Sequence, residues 1–189
     1  LVVGLENPGR DYEGTRHNVG AAAVRLLADR HGAKLKGLRG VPVQTDEINV
    51  SGRRLALAVP TTYMNESGLA VRPLVRRYGL EEDLARLVIV HDELDLPPGT
   101  LKVKVGGGLA GNNGLRSIRD HLHSTDFLRV RIGVGKPPSK EQGANHVLSR
   151  PSKRDALELE ITVQEAADAV ELILSDGVDR AMEKFNQRS

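Results

Sequence analysis

Leu1-Val2-Val3-Gly4-Leu5 is a short apolar run closed by Asn7-Pro8-Gly9, a pattern that predicts a buried strand and then a turn. The chain starts inside that strand, so a few residues are expected to precede it. Residues 18–31 follow with an alanine- and leucine-rich helical pattern that stops near Gly32. Val43 to Val50 and Leu55 to Val59 read as two strands joined around Ser51-Gly52, a hairpin. Residues 65–78 show a helical stripe through Leu69, Leu74 and Val75. Leu87-Val88-Ile89-Val90 is apolar throughout and predicts a strand buried on both faces, with His91-Asp92 at its carboxyl end. Leu101 to Val105 alternates apolar and basic residues, as a half-exposed strand does. Residues 113–122 read as a helix, Phe127 to Val134 as a strand with Arg129 and Arg131 on one face, and Pro137-Pro138-Ser139 as a loop. Residues 152–187 are helical in pattern with a break near Asp176-Gly177. This alternation predicts an α/β fold: one three-layer domain over residues 1–189, its central sheet mixed, mostly parallel in the centre and flanked by helices.

At 189 residues the chain can bury a core without covalent staples. It has no cysteine, which excludes disulfides, thiolate metal sites and a cysteine nucleophile, and suits the cytoplasm. No apolar run approaches the length of a membrane span, and no signal-peptide pattern opens the chain. The net charge of +2 hides a segregation. Residues 96–150 carry 9 basic against 3 acidic side chains, and residues 151–189 carry 5 against 9. A basic middle segment fits a polyanionic partner such as nucleic acid, although a solvated surface has the same look. With two Phe, three Tyr and no Trp, the chain has no broad platform for stacking single-stranded bases, so phosphate contacts would carry the affinity.

Several catalytic signatures are missing: no G-x-S-x-G elbow, no H-E-x-x-H pair and no Walker loop. Gly106-Gly107-Gly108-Leu109-Ala110-Gly111 matches G-x-G-x-x-G, but no acidic residue ends the next strand at the spacing a dinucleotide site needs. A flexible loop bringing backbone N–H groups to a ligand is the better reading. His91-Asp92-Glu93-Leu94-Asp95 offers oxygen ligands for a divalent metal, and His121-x-His123 is a weaker metal candidate.

A sharper set is polar. Asn7 follows the first strand, His17-Asn18 opens the first helix, Met64-Asn65 opens another, Asp92 ends a central strand and Asn113 opens a helix after the glycine loop. Singly these are turn, capping and structural residues. Together they fall where ligands gather in open α/β sheets, at the carboxyl ends of strands. His17 is then a candidate general base, Asp92 can accept its second ring N–H, and the asparagine amides can hold a carbonyl or a developing oxyanion. Water is the nucleophile this set implies. Spacing alone carries the reading as far as a metal-free hydrolase of an ester or amide.

Tyr12-Glu13-Gly14-Thr15-Arg16-His17-Asn18-Val19-Gly20 resembles the Y-x-x-T-R-H-N-x-G signature of the bacterial peptidyl-tRNA hydrolase family. In the same order follow segments similar to the family's at residues 4–9, 60–68, 91–97, 113–118 and 129–135, so the resemblance covers nearly the whole chain. It implies hydrolysis of the ester between a peptide and the terminal ribose of tRNA. By resemblance the base falls on His17, its carboxylate partner on Asp92, and the asparagine that recognises a blocked α-amine on Asn7. Contacts to the peptide and the 3′ end fall on Tyr12, Tyr63, Met64, Asn65 and Asn113, and a clamp for the tRNA 5′-phosphate on Lys104 and Arg131. The family further implies a cytoplasmic monomer with peptidyl-tRNA as partner, no membrane, no obligate protein partner and no cofactor. Two positions depart from its pattern. Asn112 stands where the family usually has histidine, and Glu6 precedes Asn7 where glycine is common.

Two other classes remain in view: a non-catalytic RNA-binding relative of the same fold, and a metal- or nucleotide-dependent enzyme using the acidic cluster or the glycine loop. If the family reading holds, Lys102, Lys104, Arg129, Arg131 and Lys136 form a track for the acceptor stem, and the acidic tail lies away from His17.

Overall fold

The computed structural model describes residues 1–109, 111–137 and 139–187. Ala110 of the glycine loop, Pro138 of the predicted proline loop, Arg188 and Ser189 lie outside the described residues. In chain order the elements are β1 (Val2–Gly4), α1 (Val19–Arg30), β2 (Lys36–Leu38), β3 (Val41–Val50), β4 (Arg53–Pro60), α2 (Gly68–Arg77), β5 (Val88–Glu93), β6 (Leu101–Val105), α3 (Asn113–Leu122), β7 (Leu128–Gly133), α4 (Gly143–Val147), α5 (Lys153–Asp176) and α6 (Val178–Phe185). Among the described residues, seven strands join one sheet in the order β2-β3-β4-β1-β5-β7-β6. The pairs β4–β1, β1–β5 and β5–β7 are parallel, and those toward the edges are antiparallel. This is the mixed sheet with a parallel centre that the alternation predicts.

Three boundaries have a clear local cause. Ser51 and Gly52 both take positive φ, 52° and 79°, the geometry that turns β3 tightly into β4. Gly177, at φ 93°, ends α5 and starts α6 at the predicted break. Asn112 caps α3, its side chain accepting from Leu115 N–H. Two expectations need correction. Leu69 is 47% exposed, and the buried stripe of α2 is Ala70, Val71, Leu74 and Val75. At about 100° per residue, five positions put Leu69 about 140° round the helix from Leu74, so the two cannot share one stripe. Strand β2 had no signal, because Lys36-Gly37-Leu38 is an exposed edge segment with neither alternation nor apolar bulk.

Two apolar layers cover the sheet. One is built from β-strand residues such as Val90, Val103 and Val130 with α1, α5 and α6, and the other from Val3, Ile89 and Phe127 with α2 and α3. Because side chains alternate along a strand, Lys102 and Lys104 lie on the α2/α3 face, opposite the face covered by the acidic helices α5 and α6. On the β6 edge the Asn186 amide stands in for a strand, accepting from Val103 N–H at 2.8 Å and donating to its carbonyl at 2.8 Å. That satisfies backbone groups an open edge would leave unpaired.

The packing that matters most for the site is α1 on the sheet. A Cβ on Gly20 would stand 2.1 Å from Val90 O, and one on Gly4 would stand 2.4 Å from Gly20 O. Helix and strands therefore touch backbone to backbone, which sets the start of α1 directly over the carboxyl ends of β1 and β5. With α1 on one face and α2 on the other, the crevice opens where β1 lies between β4 and β5.

Candidate active site

At that crevice lies a cavity of about 580 Å³, lined among others by Asn7, His17, Met64, Asn65, Asp92 and Asn113. Its size suits a ligand fragment of a few residues. His17 comes from the single turn Arg16–Asn18 that leads into α1, and Asp92 from β5, which runs three residues past the apolar run, to Glu93. His17 Nδ1 and Asp92 Oδ2 are 2.8 Å apart. A carboxylate only accepts, so Nδ1 carries the proton and Nε2 keeps its lone pair. The Asp92 side chain is 3% exposed and that of His17 12%, so the pair interacts with little screening by water. The other carboxylate oxygen, Oδ1, receives Asn112 Nδ2 at 3.3 Å.

Asn7 is held from three directions. Its N–H donates to Asn18 Oδ1 at 2.8 Å, its carbonyl receives Asn18 Nδ2 at 2.9 Å, and its Oδ1 accepts Met64 N–H at 2.7 Å. These bonds orient the Asn7 amide so that Nδ2 is the end left for a ligand. Met64 is buried, while Tyr63, Asn65 and Asn113 are exposed at the cavity lining. Tyr12 does not line the cavity. Its carbonyl anchors the turn before His17, accepting the Thr15 N–H at 3.2 Å and hydroxyl at 2.8 Å. One wall comes from α4 and Leu148, a segment latched to the His17 turn: Arg16 Nη1 donates to Ser149 Oγ and Arg16 N–H to Ser149 O.

The basic residues divide. Lys104 and Arg131 lie on one face of neighbouring strands and are not among the residues lining the cavity. The Arg131 guanidinium straddles Glu93 Oε1, with Nε at 2.9 Å and Nη2 at 2.8 Å. Lys104 has no carboxylate partner among the described residues, and its chain lies across Gly107. Arg129 corrects the sequence reading. It is 1% exposed, none of its guanidinium nitrogens has a hydrogen-bond partner among the described residues, and burial lowers its pKa, with Arg131 adding to the effect. It cannot belong to a surface track. Lys136 is exposed and sits 3.7 Å from Asp95.

The other candidate chemistries find no support in the geometry. His91 and Glu93 lie on the face of β5 opposite Asp92, and among the described residues no three His, Asp or Glu side chains gather as a metal site. The glycine loop follows β6, which runs antiparallel to β7, so it does not open the parallel β-α-β unit of a dinucleotide site.

His91 carries a pH prediction. Its Nδ1 donates to the Asp92 carbonyl at 2.7 Å, and its Nε2 is buried without a partner among the described residues. Burial, opposed by that hydrogen bond and reinforced by Arg129, pushes the imidazole from 6.5 down to about 4. Between those values the unfolded chain binds a proton that the native state refuses, so stability is full above pH 6.5 and falls as pH drops toward 4. The loss across the window is about 3 kcal/mol. Denaturant melts between pH 7 and 5 should show the fall, and His91→Asn, which keeps a donor for the carbonyl, should flatten it. Equal slopes in the two proteins would refute the assignment.

Two further residues, Asn18 and Asn112, bond to site residues without being site candidates in the sequence. Asn18 was visible only as a neighbour of His17, and its grip on Asn7 joins positions 11 apart. Asn112 was visible as a departure from the family pattern, and its contact with Asp92 needed the fold.

Comparison with known proteins agrees with this geometry. The family model described as peptidyl-tRNA hydrolase matches residues 1–189. The peptidyl-tRNA hydrolase of Pseudarthrobacter chlorophenolicus is 46% identical, covering 98% of this chain and 94% of its own length. That of Rhodococcus erythropolis is 45% identical, covering 98% and 97%. The crystal structure of peptidyl-tRNA hydrolase from Acinetobacter baumannii superposes with a TM-score of 0.93 at 39% identity, covering 98% of this chain and 93% of that one. With the match running through every element that builds the His17 crevice, the chain belongs to the peptidyl-tRNA hydrolase family.

Proposed function

We propose that this chain hydrolyses the ester between a peptide and the 3′-terminal ribose of tRNA, with His17 as general base and Asp92 as its counter-charge. The observation that carries the reading is the 2.8 Å contact between His17 Nδ1 and Asp92 Oδ2 at the cavity. It holds Nε2 as the free base. A water at Nε2 loses its proton to His17 as its oxygen attacks the ester carbonyl. The carbonyl oxygen becomes an oxyanion, and the Nδ2 donors of Asn7, Asn65 and Asn113 are the groups at hand to hold it. The imidazolium, stabilised by Asp92, returns the proton to the departing ribose oxygen. The products are tRNA with its hydroxyl restored and the peptide's carboxylic acid, which gives its proton to solvent and leaves as the carboxylate. Met64 and Tyr63 supply apolar surface for the peptide, and Tyr12 supports the turn that carries the base. No step requires a metal or other cofactor.

The tRNA itself is gripped outside the cavity. Lys104 and Arg131 are the clamp for its terminal phosphate, and Lys104, not held by a carboxylate among the described residues as Arg131 is by Glu93, carries the larger share. Lys104→Ala should weaken tRNA binding and lower the slope of log K against log salt by about 0.9, one duplex phosphate. Arg131→Ala also strands buried Glu93 without its partner, so it should cost stability as well as affinity. An unchanged salt slope in Lys104→Ala would refute its phosphate contact.

The same reading has the chain act as a cytoplasmic monomer with no obligate protein partner. One chain supplies His17, Asp92, Asn7 and Met64 to a single cavity, and among the described residues no helix is long and apolar enough to cross a membrane. Release of free tRNA from an N-acylated aminoacyl-tRNA in the presence of excess chelator tests the whole reading. Tight RNA binding without cleavage would favour the non-catalytic alternative, and activity lost on chelation would overturn the metal-free mechanism.

A further inference from the structure

We propose that Asn112 is a positioning residue of the hydrolytic pair, holding the Asp92 carboxylate in the orientation His17 requires. This rests on the reading of His17 and Asp92 given above. Asp92 is 4% exposed, so each carboxylate oxygen needs a donor from the protein. Oδ2 faces His17 Nδ1, and among the described residues the donor reaching Oδ1 is Asn112 Nδ2 at 3.3 Å. The same NH₂ group lies 3.5 Å from the Asp92 backbone carbonyl.

The amide cannot turn over without loss. Asn112 Oδ1 accepts Leu115 N–H at 3.1 Å, capping α3. Exchanging the two ends would face an N–H with NH₂ and the carboxylate with a carbonyl oxygen, so both contacts would fail together. The backbone pins the residue as well: its N–H donates to Leu109 O at 2.9 Å and its carbonyl accepts Arg116 N–H at 3.0 Å. One side chain thus ties the start of a rigid helix to the carboxylate that orients the base. Being neutral and without a titrating group, it donates at every working pH. It restrains rotation of the carboxylate while leaving its negative charge for the imidazolium.

Two substitutions separate this role from helix capping. Asn112→Ser keeps a capping oxygen but falls short of Asp92. Asn112→Asp keeps the cap and sets a like charge where the donor was. We expect kcat on an N-acylated aminoacyl-tRNA to fall about tenfold in Asn112→Ser and about a hundredfold in Asn112→Asp. KM should stay within about twofold, and the unfolding midpoint of Asn112→Ser should not move. In Asn112→Asp the acid limb of the kcat profile shifts to higher pH, because added negative charge favours the protonated base. Asp92→Asn measured alongside distinguishes the two readings. If it is crippled while Asn112→Ser turns over normally, the positioning role is wrong and the His17–Asp92 pair stands. If Asp92→Asn keeps its rate, the pair itself is wrong and this inference falls with it. A loss confined to KM, or one matched by a fall in unfolding midpoint, also overturns it.

Discussion

His17→Ala lowers kcat for peptidyl-tRNA by about 10²–10⁴-fold while its dissociation constant stays within about threefold. The split follows from the geometry. His17 presents one edge to Asp92 and leaves Nε2 for water, whereas the tRNA grip proposed for Lys104 and Arg131 sits on other strands. Removing the ring removes the acceptor for the water proton and the donor to the leaving ribose oxygen. It leaves the phosphate contacts alone. Asp92→Asn belongs to the same prediction. An amide there can accept from Nδ1 only through its oxygen, and it gives the imidazolium no counter-charge, so the rate falls with less effect on binding. Single-turnover cleavage of bound substrate, with binding measured separately by filter retention, checks both variants. Unchanged turnover in His17→Ala would remove it from the role of base, and a normal rate with a large rise in dissociation constant for Asp92→Asn would contradict the counter-charge role.

Gly20→Ala should damage stability and turnover together. Its Cβ would stand 2.1 Å from Val90 O and 2.8 Å from Val90 C, and both obstacles are backbone atoms of a central strand. Neither can swing aside as a side-chain tip would, so α1 must lift from the sheet. Overpacking of this kind costs about 1–3 kcal/mol, and more where nothing yields. The lifted segment is the one that carries His17, three positions earlier, while Asp92 stays on the strand. A misplacement of about 1 Å costs on the order of 10²-fold in rate. Gly37→Ala is the control, since a Cβ there meets nothing within 4 Å among the described residues. Denaturant unfolding and kcat for the two variants decide the matter. A Gly20→Ala protein as stable and as fast as the control would show that the close packing of α1 does not set the His17–Asp92 distance.

The layered fold was legible in the sequence because its signals are local. An apolar run such as Leu87 to Val90, the Ser51-Gly52 turn and the break at Gly177 report strand, hairpin and helix end within a few residues. The residues of the cavity were legible as well: Asn7, His17, Met64, Asn65, Asp92 and Asn113 each sit beside a turn or strand-end signal, and the fold gathers all six at one lining. Contacts and burial were not legible, since they depend on what crosses in space. His17 and Asp92 are 75 positions apart, and their 2.8 Å contact exists because Gly4 and Gly20 let α1 rest on bare backbone. Arg129 and Arg131 look alike in an alternating strand, yet the guanidinium of one is buried with no hydrogen-bond partner among the described residues and that of the other is forked onto Glu93. Leu69 looked like core and faces solvent, because the helical period sets it opposite the buried Ala70, Val71, Leu74 and Val75. Periodicity and turn chemistry along the chain determined the layers and placed the polar residues at the strand ends. Which of them touch, which charges stay free and which amide steadies the Asp92 carboxylate were decided only when helix packing brought distant backbone segments within bonding distance.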